Sequence, residues 1–231
     1  YDAGDRVAFA AQARAFAARV AGAGRVVTPD AGCAFVLRVV YPSLHLTLPP
    51  VLHLSELAAE HLPQLQPLDE PRTVAVHDSC KLGRGLGVYE APRAVLTHLL
   101  GHAPAELGAH RAHGLCSGGG GLLPVTRPDT SRAIAEALAA EVAETVPGDD
   151  AVVVTGCLTS ARQLRAAGTA AETLTRFVAR AVRPGSRGQR RADRADARAC
   201  ASHGGADRRA PDLAAGDPGG QHEAAGDQHR Q

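Results

Sequence analysis

The sequence has no tryptophan and no methionine, and only 3% of its 231 residues are aromatic. Large anchoring side chains are scarce, so a core has to be assembled from alanine, valine and leucine within a hydrophobic share of 45%. Lysine occurs once, at Lys81, and every other basic residue is arginine. With the excess of alanine and glycine, this is the composition of a GC-rich coding sequence and says little about function. Twenty-five basic residues stand against 24 acidic ones, a formal net charge of +1. That balance argues against a dedicated nucleic-acid or membrane-surface binder, whose affinity comes from clustered positive charge. No apolar run reaches the roughly 18 residues of a membrane-spanning helix. Residues 1–20 lack the uninterrupted apolar stretch of a secretory signal. No methionine stands at the first position, and we expect a fragment or a processed chain. The five cysteines, Cys33, Cys80, Cys116, Cys157 and Cys200, are odd in number and widely spaced. They do not form a disulfide framework, and in a cytoplasmic chain they lean toward metal binding or redox chemistry.

The length allows one large or two small domains. A tail separates first. From Gly185 to Gln231 its apolar residues, alanines apart, are Cys200, Leu213 and two prolines. It cannot bury enough surface to offset chain entropy, so we expect it to be disordered, with Cys200 a free thiol. A product of a shifted reading frame is the alternative. Ahead of it, helix and strand patterns alternate. Helices are expected at 5–21, 31–41 (stopped by Pro42), 54–62, 90–100, 129–146, 158–167 and 173–182. Strands are expected at 25–28, 73–77, 151–155 and, weakly marked, within 105–113. Residues 63–71, with three prolines, read as a linker. Such alternation implies an α/β fold with a mostly parallel sheet covered on both faces.

An internal repeat organises the chain. At an offset of 127, Val27-Thr28 falls on Val154-Thr155, Ala34 on Ala161, Leu37 on Leu164 and Arg38 on Arg165. At a slightly shorter offset, 52–62 matches 172–182 in pattern. The chain reads as the second half of one unit followed by a complete unit, with chance likeness of two strand–turn–helix elements as the alternative. In this register Asp30 and Cys33 align with Cys157 and Ser160. The expected division is 1–62, the end of a first unit; 63–71, linker; 72–184, a complete second unit; and 185–231, tail.

Cys80, Cys116 and Cys157 each follow a predicted strand, at the sheet edge where open parallel sheets bind ligands. Three thiols from three strand ends can converge, and soft thiolates suit an iron–sulfur cluster or zinc. The glycine run at Gly118, Gly119 and Gly120 lets backbone approach a bulky group and offers N–H donors to cluster sulfides. On spacing alone, cysteines serving as small buried hydrophobes remain equally open. GRGLG at 83–87 lacks the spacing of a phosphate loop and reads as a turn. His77 is the best histidine ligand candidate. Glu90 and Arg93 read as helix-start pairing, and Glu56 as structural.

The runs VHDSCKLGRGLGVYEAPR (76–93), LCSGGGGLLP (115–124) and VVTGCLTSARQL (153–164) resemble the cysteine-rich "CCG" domain. That domain occurs in heterodisulfide reductase and in iron–sulfur subunits of glycolate oxidase and lactate-utilisation complexes. Its pattern is a lone Cys, then Cys-Cys-Gly, then Cys-x-x-Cys. Here Cys80 and Cys116 have 35 residues between them, Cys116-Ser117-Gly118 stands for Cys-Cys-Gly, and Cys157 to Ser160 stands for Cys-x-x-Cys. TPDAGCAFVLRVVYPSL (28–44) and HLSEL (53–57) resemble the end of a preceding CCG unit, over a likeness covering about residues 5–183. The resemblance implies two pseudo-repeated parallel-sheet units, the first incomplete. It implies an iron–sulfur cluster, 4Fe-4S in type, held in the complete unit by Cys80, Cys116 and Cys157 with one iron open or a fourth ligand, with zinc as the alternative metal; Cys33 is a metal-ligand candidate of the first unit, whose front half the chain lacks. It departs from the pattern at Ser117 and Ser160, and His77 or Asp78 are candidate fourth ligands. The function implied is electron transfer within an iron–sulfur oxidoreductase, partnered by a flavin-containing dehydrogenase subunit and another iron–sulfur subunit or domain. Its substrate is then a 2-hydroxy acid or a disulfide, its place cytoplasmic, and any membrane association runs through partners. The rival reading is a non-catalytic interaction domain with structural zinc or no metal.

Overall fold

Two valine runs make the centre of the fold. In the computed structural model, which describes residues 2–148 and 150–182, they are β3 (Thr73–His77) and β5 (Ala151–Thr155). The expected tail at 185–231 lies outside the described residues. β3 and β5 pair in parallel along their full length, from Thr73 opposite Ala151 to His77 opposite Thr155. β4 (Ala105–Glu106) lies beyond β3 and β6 (Ala171–Thr173) beyond β5, giving a parallel sheet of order β4-β3-β5-β6. Unbroken apolar strands demand cover on both faces. On one face Val74, Val76, Val152 and Val154 meet α6 (Glu90–Leu100) and α10 (Leu174–Ala181), with Phe177 wholly buried among them. On the other, Ala75 and Val153 meet α8 (Pro128–Thr145) and α9 (Leu158–Ala166) through Leu138, Val142 and Leu164.

The N-terminal part repeats half of this plan. After α1 (Arg6–Val20), β1 (Val26–Thr28) pairs in parallel with β2 (Val51–His53). β2 runs directly into α4 (Leu54–Glu60), as β6 runs directly into α10. The strand registers correspond: Thr28 faces His53 as Thr155 faces Thr173. His53 caps α4, its ring accepting from Ser55 N–H, while the Glu56 carboxylate takes the His53 N–H. Glu56 also pairs with Arg38 at 2.9 Å, a structural role.

Pro42 does not stop the helix that begins at Ala31. α2 (Ala31–Phe35) continues through a π-helical turn at Val36–Val40 into α3 (Tyr41–Ser43), with Pro42 inside it. The Tyr41 N–H bonds to the Val36 carbonyl, five residues back. The widened turn shifts the bonding pattern and accommodates the missing proline N–H. The strand expected within 105–113 shrinks to two residues, followed by a 3-10 turn at Arg111–His113. GRGLG is a one-turn helix, α5 (Gly83–Leu86), ended by Gly87 at φ 71°. A further short helix, α7 (Leu123–Thr126), precedes α8. Residues 63–71 are tied down: Gln66 N–H bonds to the Ala181 carbonyl and Leu68 N–H to the Leu99 carbonyl. No helix among the described residues is long and apolar enough to cross a membrane.

Candidate functional site

The direction in which the crossovers progress across the sheet reverses between β3 and β5, which run parallel. The crossover after β3 leads outward to β4, and the crossover after β5 leads the other way to β6. The carboxyl ends of β3 and β5 therefore flank a topological switch point, where parallel sheets open a crevice. Cys80 follows β3, Cys157 follows β5, and Cys116 lies on the loop after β4. Together with Cys33 on α2 they line one cavity of about 780 Å³, beside Lys81, Ser117, Gly119 and Gly120. All four cysteines are free thiols. Among the described residues no three His, Cys, Asp or Glu side chains converge as the ligands of a single metal ion.

The neighbouring Cys80 thiol, with the Gly118 N–H, Arg84 and Lys81, lowers the Cys116 pKa against the opposing effect of burial. Cys116 in turn, with burial, pushes the Cys80 pKa up. The Gly118 N–H reaches the Cys116 sulfur at 3.4 Å. The Cys33 thiol is raised by burial first, then by Asp30, with a smaller contribution from Cys157.

The loop between β3 and Cys80 is built on buried charge. Arg93 on α6 forks onto Asp78 at 2.8 and 2.7 Å, and onto Glu106 of β4 at 2.7 and 2.6 Å. Burial opposes ionisation of Asp78, but Arg93 and the Arg111 N–H prevail and hold its carboxyl below the usual range. Both Asp78 oxygens are thus occupied. His77 is equally committed: its Nδ1 meets Thr155 Oγ1 at 3.2 Å and its Nε2 meets the Leu115 carbonyl at 3.0 Å. Burial lowers its pKa, so the ring is neutral and ties the loop before Cys116 to the sheet. The sequence suggested His77 and Asp78 as ligands; the structure uses them as struts. Arg93 and Glu90 do form ion pairs, but with partners on other elements, Arg93 as above and Glu90 with Arg111.

Ser117 and Ser160, at the positions of two motif cysteines, are buried and hydrogen-bond to each other at 3.0 Å. The glycine run is shaped by its own packing. Gly118 has φ 74°, and a Cβ there lies 2.6 Å from the Ser131 carbonyl oxygen. A Cβ on Gly119 lies 2.3 Å from the Thr159 methyl, while Gly120 has nothing within 4 Å. One residue escaped the sequence reading: Arg84 donates to the Gly114 and Ala112 carbonyls and brings positive charge to Cys116. Asp30, which the repeat aligns with Cys157, is no ligand here but bonds to both α2 and α9.

A family model described as "Cysteine-rich domain" (CCG) matches residues 74–165, which hold Cys80, Cys116 and Cys157. A subunit of the dihydromethanophenazine:CoB--CoM heterodisulfide reductase of Methanosarcina mazei is 33% identical over 141 residues, covering 59% of this chain and 34% of that protein. A subunit of the fumarate reductase (CoM/CoB) of Methanothermobacter marburgensis is 32% identical over 125 residues, 54% of this chain and 24% of that protein. The probable iron-sulfur-binding oxidoreductase FadF of Bacillus subtilis is 34% identical over 112 residues, 46% of this chain and 15% of that protein. The chain spans about a third of the length of the heterodisulfide reductase polypeptides it matches.

Proposed function

We propose that this chain, whose residues 74–165 are a cysteine-rich CCG domain, is the electron-transfer part of an iron–sulfur oxidoreductase subunit. The observation that carries this reading is the gathering of Cys80, Cys116 and Cys157 from three strand ends onto one cavity at the switch point. The donor set fits a cluster. Soft thiolates lining one cavity suit the irons of a cluster. When bound, the cluster, 4Fe-4S in type, supplies reversible one-electron transfer. The chain's own residues tune the site. The Cys116 pKa is lowered, which favours the ligating thiolate, Gly118 donates an N–H to its sulfur, and Lys81 and Arg84 offset the negative charge that gathers there on reduction. The partners are then a flavin-containing dehydrogenase subunit and another iron–sulfur subunit or domain, in a system acting on a 2-hydroxy acid or a disulfide. Relatives named as subunits of reductases support the presence of partner subunits. The reducing cytoplasm, where thiols stay free, is the compartment it fits.

The test is iron, zinc and acid-labile sulfide counted together on the anaerobically purified chain. Iron with matching sulfide, a brown colour and bleaching by dithionite are expected. Cys116→Ala should abolish the colour and Cys200→Ala should leave it. Zinc alone, or no metal, overturns electron transfer and leaves an interaction domain.

A further inference from the structure

We infer that Cys33, at the start of α2, supplies a fourth thiolate to the cluster held by Cys80, Cys116 and Cys157, so that the incomplete first repeat closes the site of the second. This rests on the cluster-binding reading above and adds a ligand to it. In the resemblance Cys33 belongs to a different unit, with its own set of partners. The fold places it elsewhere. One carboxylate organises both helix starts: Asp30 Oδ1 accepts from the Gly32 and Cys33 N–H groups at 2.8 and 3.3 Å, and Asp30 Oδ2 accepts from the Leu158 N–H at 2.9 Å. Leu158 is the residue after Cys157. A second tie runs from the Ala31 N–H to the Gly156 carbonyl at 3.1 Å. Cys33 and Cys157 are therefore held at one junction.

The other side of α2 abuts the loop bearing Cys80. Lys81 Nζ sits 3.9 Å from the centre of the Phe35 ring. A Cβ on Gly85 lies 2.6 Å from that ring and 3.5 Å from the Cys80 carbonyl oxygen, so the contact has no slack. α2 is thus wedged between the segments that carry Cys80 and Cys157, and Cys33 faces the shared cavity with an exposed thiol. The competing ligands are spent. His77 has both ring nitrogens engaged and Asp78 both oxygens. Ser117 and Ser160 are paired with each other and carry hydroxyls that resist deprotonation. Ligation forms one Fe–S bond, the Cys33 proton passes to solvent, and no electron moves.

The test compares the anaerobically reconstituted wild-type chain with Cys33→Ala, Cys33→Ser and Cys157→Ala. Iron, sulfide and the electron paramagnetic resonance of oxidised and reduced samples are measured, with the rate of iron loss to a chelator. Wild type should hold about four irons and four sulfides. Cys33→Ala should release iron at least about tenfold faster, since loss of even an outer-shell partner of a metal site costs about 10–100-fold in affinity, and give a three-iron signal on oxidation, with Cys33→Ser intermediate. If both Cys33 variants match wild type in iron, spectrum and release rate while Cys157→Ala loses its cluster, the fourth-ligand assignment is wrong and the three-thiolate site stands. About eight irons in wild type, falling to about four in Cys33→Ala, puts Cys33 on a cluster of its own and also overturns the shared site. A wild type without iron and sulfide overturns both readings. Cys33 is exposed, so its replacement should leave the circular dichroism unchanged.

Discussion

Arg93→Met probes whether buried charge holds the Cys80 loop. The Arg93 side chain is 8% exposed and the Asp78 side chain 3%. Removing the guanidinium takes two charge-assisted bonds from Asp78, two from Glu106 and one from the Tyr89 carbonyl. Glu106 is 37% exposed and water replaces most of what it loses. Asp78 has no such recourse and keeps only the Arg111 N–H. Stranding a buried carboxylate costs about 3–5 kcal/mol, and the Tyr89 carbonyl adds about 1 kcal/mol or less. The assay is urea unfolding of the wild type, Arg93→Met, Asp78→Asn and the double variant at pH 7. Arg93→Met alone should lose about 3–5 kcal/mol, and adding Asp78→Asn should recover about half by removing the stranded charge. Asp78 lies two residues before Cys80, so the single variant should also retain less iron after reconstitution. A loss below about 1 kcal/mol, or no recovery in the double variant, refutes the reasoning.

Glu70 is held down to about 2, chiefly by hydrogen bonds from Arg72, with a further contribution from Arg180. A depressed carboxyl contributes stability at pH values above its unfolded pKa, and that stability is lost as pH falls toward the folded value. The full shift is worth about 3 kcal/mol, and partly solvated arginines reduce this to about 1–2 kcal/mol. Wild type should therefore exceed Glu70→Gln by that much at pH 7 and by less at pH 3; a gap independent of pH contradicts this origin. Phe177→Ala removes the largest fully buried side chain and should cost about 3–5 kcal/mol in denaturant unfolding, against a reading in which the helical face is loosely packed. Gly119→Ala should cost about 1–3 kcal/mol by pressing on Thr159, whereas Gly120→Ala, with open space around it, should change stability by about 0.5 kcal/mol or less. Equal effects at the two positions would remove packing as the reason for the glycine run.

The sequence by itself determined the valine strands, the long helices and the placing of a cysteine beyond each of β3, β4 and β5, because these depend on local runs and periodicity. Thr28 opposite His53 and Thr155 opposite Thr173 hold corresponding places in the two sheets. The three-residue strands β2 and β6 were not legible, since nothing in Val51–His53 or Ala171–Thr173 is strand-like until a parallel neighbour supplies its hydrogen bonds. Pro42 looked like a helix stop because local rules do not foresee a π-helical turn. His77 and Asp78 looked like ligands because residue type shows capacity, and only the packed structure shows that Thr155, Leu115, Arg93 and Arg111 have used it. The juxtaposition of Cys33 with Cys157, more than a hundred residues apart, was decided by the Asp30 carboxylate joining two helix starts. Bonds between segments distant in the chain depend on how sheets and helices pack, and no local pattern in the sequence encodes them.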